Sequence, residues 1–190
     1  CPTPQIKKIH PENLIPSYIK DFINSQQYVS NLHATYLVDE KETKGSLAYY
    51  YPCGKWKTPI AAIVLHKIKA IDSIKAPKGK ELISVYIMDH STNQLNNLEE
   101  KEIFSKVWDM AKDFQPSLPA DYLPVAIFNR ENAIPLHQVG RYSLANKIKD
   151  AQNGNLIFAG DYLSCATVEG AIRSGRWAAF KLMNKEIATF

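Results

Sequence analysis

The chain has 190 residues, of which 45% are hydrophobic and 22% charged, as expected for a globular protein with a substantial core. Its net charge of +4 comes from lysines dispersed along the sequence, which favours a solvated basic surface over a nucleic-acid or membrane surface. No apolar run is long enough for a transmembrane helix. Three cysteines without CxxC spacing and five histidines without metal-ligand spacing argue against a disulfide framework or a metal site, and they indicate a cytoplasmic location.

Hydrophobic periodicity and turn residues predict strands and helices along the whole chain. A proline-bounded linker at 11–16 leads into a helix at Ser17–Ser25, and four strands follow at Tyr28–Val38, Ser46–Tyr51, Ile60–Lys67 and Glu81–Met88. The remaining elements are a helix at Leu98–Phe114, a strand at Leu123–Phe128, a helix at Ser143–Ala151, a strand at Leu156–Ala159 and a helix that begins near Thr167.

Two of these elements show which side should face the core. The first strand alternates, and its apolar side carries Leu32, Ala34, Tyr36 and Val38. The long helix has apolar residues at helical spacing, namely Ile103, Val107, Met110 and Phe114.

The stretch from Leu156 to Ala179 carries the clearest functional signal. The apolar residues 156–159 predict a buried strand that Gly160 closes, and Asp161 then lies where such sheets bind ligands. A carboxylate there can accept hydrogen bonds from sugar or ribityl hydroxyls, although a turn or capping role is the alternative. The helix that follows offers free N–H groups to an anion or a polarised carbonyl.

Two neighbouring stripes of small residues run along this last helix. Gly170, Ser174 and Ala178 form one stripe, and Ala171, Gly175 and Ala179 form the other. Such stripes let a backbone or a flat ring approach closely, and the residues alone leave both readings open.

The same stretch resembles the C-terminal flavin motif of the FAD-dependent amine oxidase and protoporphyrinogen oxidase superfamily. That motif reads A-G-D after an apolar strand, then E-G-A, S-G and A-A. Its counterparts here are Ala159–Asp161, Glu169–Ala171, Ser174–Gly175 and Ala178–Ala179. Weaker resemblances link residues 133–140 to the family's A-x-P-x-x-x-x-G segment, 76–79 to its A-P-x-G turn and 1–5 to its P-x-P-Q.

The resemblance implies FAD as the cofactor and a small organic substrate that is oxidised by hydride transfer to the flavin. The implied cofactor-binding residues are Gly160, Asp161, Thr167, Val168 and Ala171. Asp161 would accept hydrogen bonds from the ribityl or pyrophosphate region, and the backbone N–H groups of Thr167 and Val168 would face the N1–C2=O edge of the flavin. No catalytic residue and no metal ligand are assigned.

Departures from the family pattern put simple amine oxidation in doubt. Thr167 stands where classical amine oxidases place an aromatic wall of the amine cage, residues 128–140 contain no cysteine, and residues 29–35 contain no lysine. A porphyrinogen, a carotenoid-like lipid and a dihydronicotinamide remain open as substrates.

The resemblance also implies an α+β fold. Residues 1–12 would end a flavin-domain segment, 13–137 would form a substrate domain with a mostly antiparallel sheet flanked by helices, and 138–190 would return to a Rossmann-like FAD domain as a strand and helix.

Because no G-x-G-x-x-G fingerprint occurs, we expect the chain to be the C-terminal part of a longer flavoprotein. On its own it should be inactive and should purify without FAD. Its apolar face should bind the N-terminal FAD-binding half of the same protein, with self-association as a side effect. A non-catalytic binding module that keeps the fold without the cofactor is the alternative.

Overall fold

A computed structural model describes residues 2–52, 58–69, 76–153 and 155–183. The chain divides into two compact units. The helical unit comprises Cys1–Val29 and Asn132–Phe190, and the sheet unit comprises Ser30–Glu131. The assignment of these units to flavin and substrate domains, with the boundaries expected from the sequence, stays a prediction.

The sheet unit is built on five strands. They are β1 (Tyr28–Asp39), β2 (Tyr49–Tyr50), β3 (Ile60–Leu65), β4 (Lys80–Ile87) and β5 (Leu123–Pro135), and their order in the sheet is β2-β3-β4-β1-β5. Strands β1 and β4, β2 and β3, and β3 and β4 pair antiparallel, with Ala34 of β1 opposite Val85 of β4. The helices in the described residues of this unit are α3 (His66–Lys69), α4 (Asp89–Thr92) and α5 (Glu100–Phe114). The predicted α+β class is confirmed.

One face of the sheet packs against α5 and forms the main core. The four residues predicted for the apolar side of β1 are all buried, as expected. In α5 the buried residues are Phe104, Val107, Trp108 and Ala111, so the buried side is rotated from the predicted one. The large Trp108 ring explains the rotation, because it packs against Tyr36 and its Nε1 donates to the Pro119 carbonyl at 3.3 Å.

The helical unit contains α1 (Thr3–Ile9), α2 (Ser17–Ser25), α6 (Arg141–Ala151) and α7 (Val168–Leu182). Its core joins α1, α2, α6 and the loop before α7. The members are Ile6, Ile15, Ile19, Phe22, Ile23, Ala145, Ile148, Phe158, Tyr162 and Leu163. Helix α1 was not expected, although Pro2 and Pro4 suit a helix start because proline lacks the N–H that a first turn leaves unbonded. The linker at 11–16 contains a 3₁₀ turn, Glu12–Leu14.

Several predicted boundaries shift. Strand β2 keeps only two of the six predicted residues, β3 ends at Leu65, and β5 continues beyond Phe128 to Pro135. The turn at 76–79 precedes β4 as expected, with Gly79 at φ 77° and the Lys80 N–H donating to the Pro77 carbonyl at 3.0 Å.

Within the described part of the chain, every helix falls short of the length and apolarity that a bilayer crossing needs. The same residues contain no cluster of His, Cys, Asp or Glu that could hold a metal ion.

Candidate functional site

The strand predicted at Leu156–Ala159 does not form, and that expectation was wrong. A strand needs a neighbouring backbone, and here the buried side chain of Gln152 takes that place. Its Oε1 accepts from the Phe158 N–H at 2.5 Å, and its Nε2 donates to the Phe158 carbonyl at 3.2 Å. Phe158 is therefore held against the helical core without a sheet partner among the described residues.

Gly160 lies where the chain turns into the loop before α7. Its N–H donates to the Ser174 Oγ at 3.0 Å, which ties the loop to α7. A Cβ at this position would come within 2.2 Å of the Tyr162 ring, which is buried and donates its hydroxyl to the Ala159 carbonyl. The glycine of the A-G-D motif is thus required for packing, independently of any cofactor.

Asp161 begins a 3₁₀ turn (Asp161–Leu163) and is half-buried. Its carboxylate makes no hydrogen bond within the described residues, and the cap of α7 is a different residue, so the structure gives no support to the capping alternative. Burial raises the pKa of Tyr162 and of Tyr28, and the negative charge of Asp161 raises both pKa values further. Asp161 is an acceptor left available beside two phenols.

The amino terminus of α7 begins at Thr167, whose Oγ1 accepts from the Gly170 N–H at 3.0 Å. Of the two N–H groups expected to face a flavin, that of Thr167 already donates to the Cys165 carbonyl at 2.8 Å, whereas that of Val168 has no acceptor within the described residues. The Glu169 N–H is likewise without an acceptor there. Glu169 pairs with Arg173 one turn later, at 2.6 Å between Oε1 and Nε, as a solvent-exposed ion pair. Two backbone donors therefore remain free at the positive end of the helix dipole.

The two small-residue stripes of α7 have different surroundings. Gly170, Ser174 and Ala178 are buried, and a Cβ on Gly170 would lie 1.8 Å from the Cys165 carbonyl oxygen. Packing on the preceding loop accounts for Gly170, and the hydrogen bond from the Gly160 N–H accounts for Ser174. The second stripe is exposed, and a Cβ on Gly175 would meet nothing within 4 Å. Of the two stripes, the exposed one is open to an incoming flat ring.

Sequence reasoning missed a buried cation in the same unit. The guanidinium of Arg141 lies 3.6 Å from the centre of the Phe22 ring, with Nη1 donating to Ser25 Oγ and Nη2 to the Phe22 carbonyl, both at 3.2 Å. Its buried Nε has no partner among the described residues, and burial lowers its pKa. A positive charge in the first turn of α6 opposes the helix dipole, and this was the available signal that the residue serves another purpose.

His137 is the second missed residue. Its ring stacks on Tyr142 with 4.7 Å between ring centres, and both ring nitrogens are buried without a hydrogen-bond partner in the described part of the chain. Burial lowers its pKa, as does the charge of Arg141, while Asp161 acts in the opposite direction. His137 lies inside the 133–140 segment that the sequence singled out.

Residues 1–183 match the family model of flavin containing amine oxidoreductases. A comparison with curated proteins finds no match.

Solved structures match over much or nearly all of the chain. A protein assigned as a protoporphyrinogen oxidase from Exiguobacterium sp. 255-15 is 17% identical, with a TM-score of 0.65 over 96% of this chain and 40% of that one. A variant of putrescine oxidase is 12% identical, with a TM-score of 0.62 over 96% of this chain and 41% of that one. Reduced UDP-galactopyranose mutase is 12% identical, with a TM-score of 0.50 over 69% and 27%. The first two structures are thus covered over about two fifths of their length, and identities this low show the fold alone.

Proposed function

Because the chain belongs to the flavin containing amine oxidoreductase family, we propose that it is the substrate-domain and final flavin-motif part of an FAD-dependent oxidoreductase. When bound, FAD supplies an acceptor for a hydride equivalent from a small organic substrate. The single observation that carries the proposal is the free amino terminus of α7 beside the unbonded Asp161 carboxylate.

The residues present fit a flavin. The Val168 N–H is a free donor at the end of a helix dipole, which suits an edge where negative charge develops. The Asp161 carboxylate is a free acceptor for hydroxyl groups. Ala171, on the exposed stripe, offers a surface that a flat ring can approach. Gly160 and Thr167 shape the site by packing and by capping α7.

An apolar surface next to this site supports docking of an N-terminal FAD-binding half. Val168 is 79% exposed and Ile172 60% exposed, and they lie one turn apart on α7. Apolar side chains this exposed are typical of a surface that another part of the protein covers.

Simple amine oxidation is not the activity that we propose. The residue before the helix start is Thr167, whose hydroxyl caps α7, so no aromatic wall of an amine cage stands there. An oxidation of a less basic substrate fits the chain better.

The test is FAD retention by the complete protein that contains this chain. Asp161→Ala should weaken FAD binding by about 1.5–3 kcal/mol, the range for a hydrogen bond to a charged group. Asp21→Ala, an exposed carboxylate on α2, is the matched control. The measurement is visible flavin absorbance during titration with FAD. A colourless protein that takes up no FAD would support a non-catalytic binding module, and an unchanged affinity would return Asp161 to a turn role.

A further inference from the structure

The sheet face opposite the main core carries a ladder of aromatic rings. His33 of β1 lies opposite Tyr86 of β4, and its ring stacks on the Tyr86 ring with 4.8 Å between centres and 29° between planes. On its other side the His33 ring stacks on Phe128 of β5, again at 4.8 Å and with 23° between planes. Three strands thus contribute one ring each to a continuous stack.

The stack is open at Phe128. Strand β5 lies at the edge of the sheet, so no further strand covers the outer side of this ring in the described residues. Phe128 is 44% exposed, although its neighbour Ile127 packs against the core. Alternation along β5 places Arg130 on the same face as Phe128, about 7 Å further along the strand. Arg130 is exposed and forms no ion pair with any described residue.

The charge near this open end is positive. Burial lowers the pKa of His33, and the charges of Arg130 and His66 lower it further, so Arg130 lies close enough to affect the ring stack. Two carboxylates of this region have other surroundings or partners. Glu131 alternates to the other side of β5. Asp89 already accepts hydrogen bonds from the N–H and hydroxyl of Ser30 at 2.5 and 2.7 Å.

We propose that Phe128 and Arg130 form a binding site for a flat, conjugated carboxylate. Its ring extends the stack on the outer face of Phe128, and its carboxylate pairs with the Arg130 guanidinium, whose planar fork matches a carboxylate. A cationic amine is disfavoured, because Arg130 repels it. The binding of this ligand class is independent of the proposed function. Only the further statement that such a ligand is the substrate of the enzyme rests on the proposed function.

The experiment measures binding of anthracenecarboxylate to the 190-residue chain by fluorescence anisotropy. Anthracenemethanol keeps the ring without the charge, and cyclohexanecarboxylate keeps the charge without a flat ring, so each should compete at least about tenfold more weakly. Arg130→Gln should weaken anthracenecarboxylate binding about tenfold, and Phe128→Leu about two- to tenfold. Phe128→Trp keeps a flat aromatic ring at this position, so it should bind anthracenecarboxylate about as well as the unchanged chain and better than Phe128→Leu.

Val125→Ala is the matched control, because Val125 is equally exposed on β5 but alternates to the other face. It should leave the affinity unchanged. Equal binding of the charged and uncharged probes, or no loss in both Arg130→Gln and Phe128→Leu while circular dichroism shows an intact fold, would overturn the proposal. No flavin takes part in this experiment, so its failure is distinct from a failure of FAD retention.

Discussion

The two units differ in how completely they satisfy their own buried groups. In the sheet unit, buried polar side chains bond to one another, as in the row that joins His66 to Ser84 at 2.8 Å and Ser84 to Thr35 at 3.1 Å. In the helical unit, Gln26, His137 and Arg141 each bury a polar atom without a partner, and every such atom among the described residues belongs to that unit. Since an unpartnered buried group costs about 1–3 kcal/mol, the helical unit is the part that gains most from a bound group.

The largest effect is expected in the sheet unit, whose buried polar groups have partners, when its largest buried side chain is removed. Trp108→Ala should destabilise the protein by about 3–5 kcal/mol, because it leaves a cavity beneath the sheet and removes the bond to the Pro119 carbonyl. Urea unfolding followed by circular dichroism measures the loss. Val125→Ala, half-exposed on the same unit, should change stability by less than about 0.5 kcal/mol. A loss below about 1 kcal/mol for Trp108→Ala would show that this core is loosely packed.

The two glycines of α7 compare a closely packed position with an open position in the helical unit. Gly170→Ala should cost roughly 1–3 kcal/mol, because the new methyl meets the Cys165 backbone. Gly175→Ala is the paired control and should gain up to about 1 kcal/mol of helix propensity, since its Cβ meets nothing. Thermal melts of both variants provide the comparison. Equal effects would mean that the two stripes share one environment.

Two histidines offer a direct comparison between the units. His66→Phe should cost about 0.5–1.5 kcal/mol, because it removes the hydrogen bond to Ser84. His137→Phe keeps the stacking on Tyr142 and removes two unpartnered nitrogens, so stability should stay the same or rise by up to about 1 kcal/mol. Both values come from urea unfolding at neutral pH. If His137→Phe destabilises the protein more than His66→Phe, the His137 ring nitrogens do have hydrogen-bond partners, and the expectation is contradicted.

The smallest expected effect concerns pH. Burial lowers the pKa of His33, His66 and His137 below the unfolded value of 6.5. The unfolded chain therefore binds more protons than the folded chain below that pH, and stability should be constant above it and fall as the pH decreases through the folded pKa values. The urea midpoint between about pH 7.5 and 5.5 tests this, and His137→Phe should reduce the slope. A midpoint that rises on acidification would contradict the lowered pKa values.

The sequence predicted correctly that a helix begins near Thr167. The A-G-D and E-G-A motifs located the loop and the start of α7. A helix start depends on a few consecutive residues, here the capping hydroxyl of Thr167 and the small residues after it, so the local sequence is enough to predict it. It could not predict that residues 156–159 form no strand, because strand formation depends on a neighbour elsewhere in space. It also missed Arg141 and His137, whose importance comes from burial beside Phe22 and Tyr142.

By itself, the sequence determined the α+β class, the alternation that buries one side of β1, and the resemblance to a flavin family that the family match confirms. These depend on residue order and spacing, which the chain carries locally. Only the tertiary structure decided which stripe of α7 is buried, which side of α5 meets the sheet, and which polar groups remain without partners. Those outcomes depend on which surfaces meet. Both stripes consist of small residues, but only one has the preceding loop against it, with the Cys165 carbonyl at Gly170 and the Gly160 N–H at Ser174.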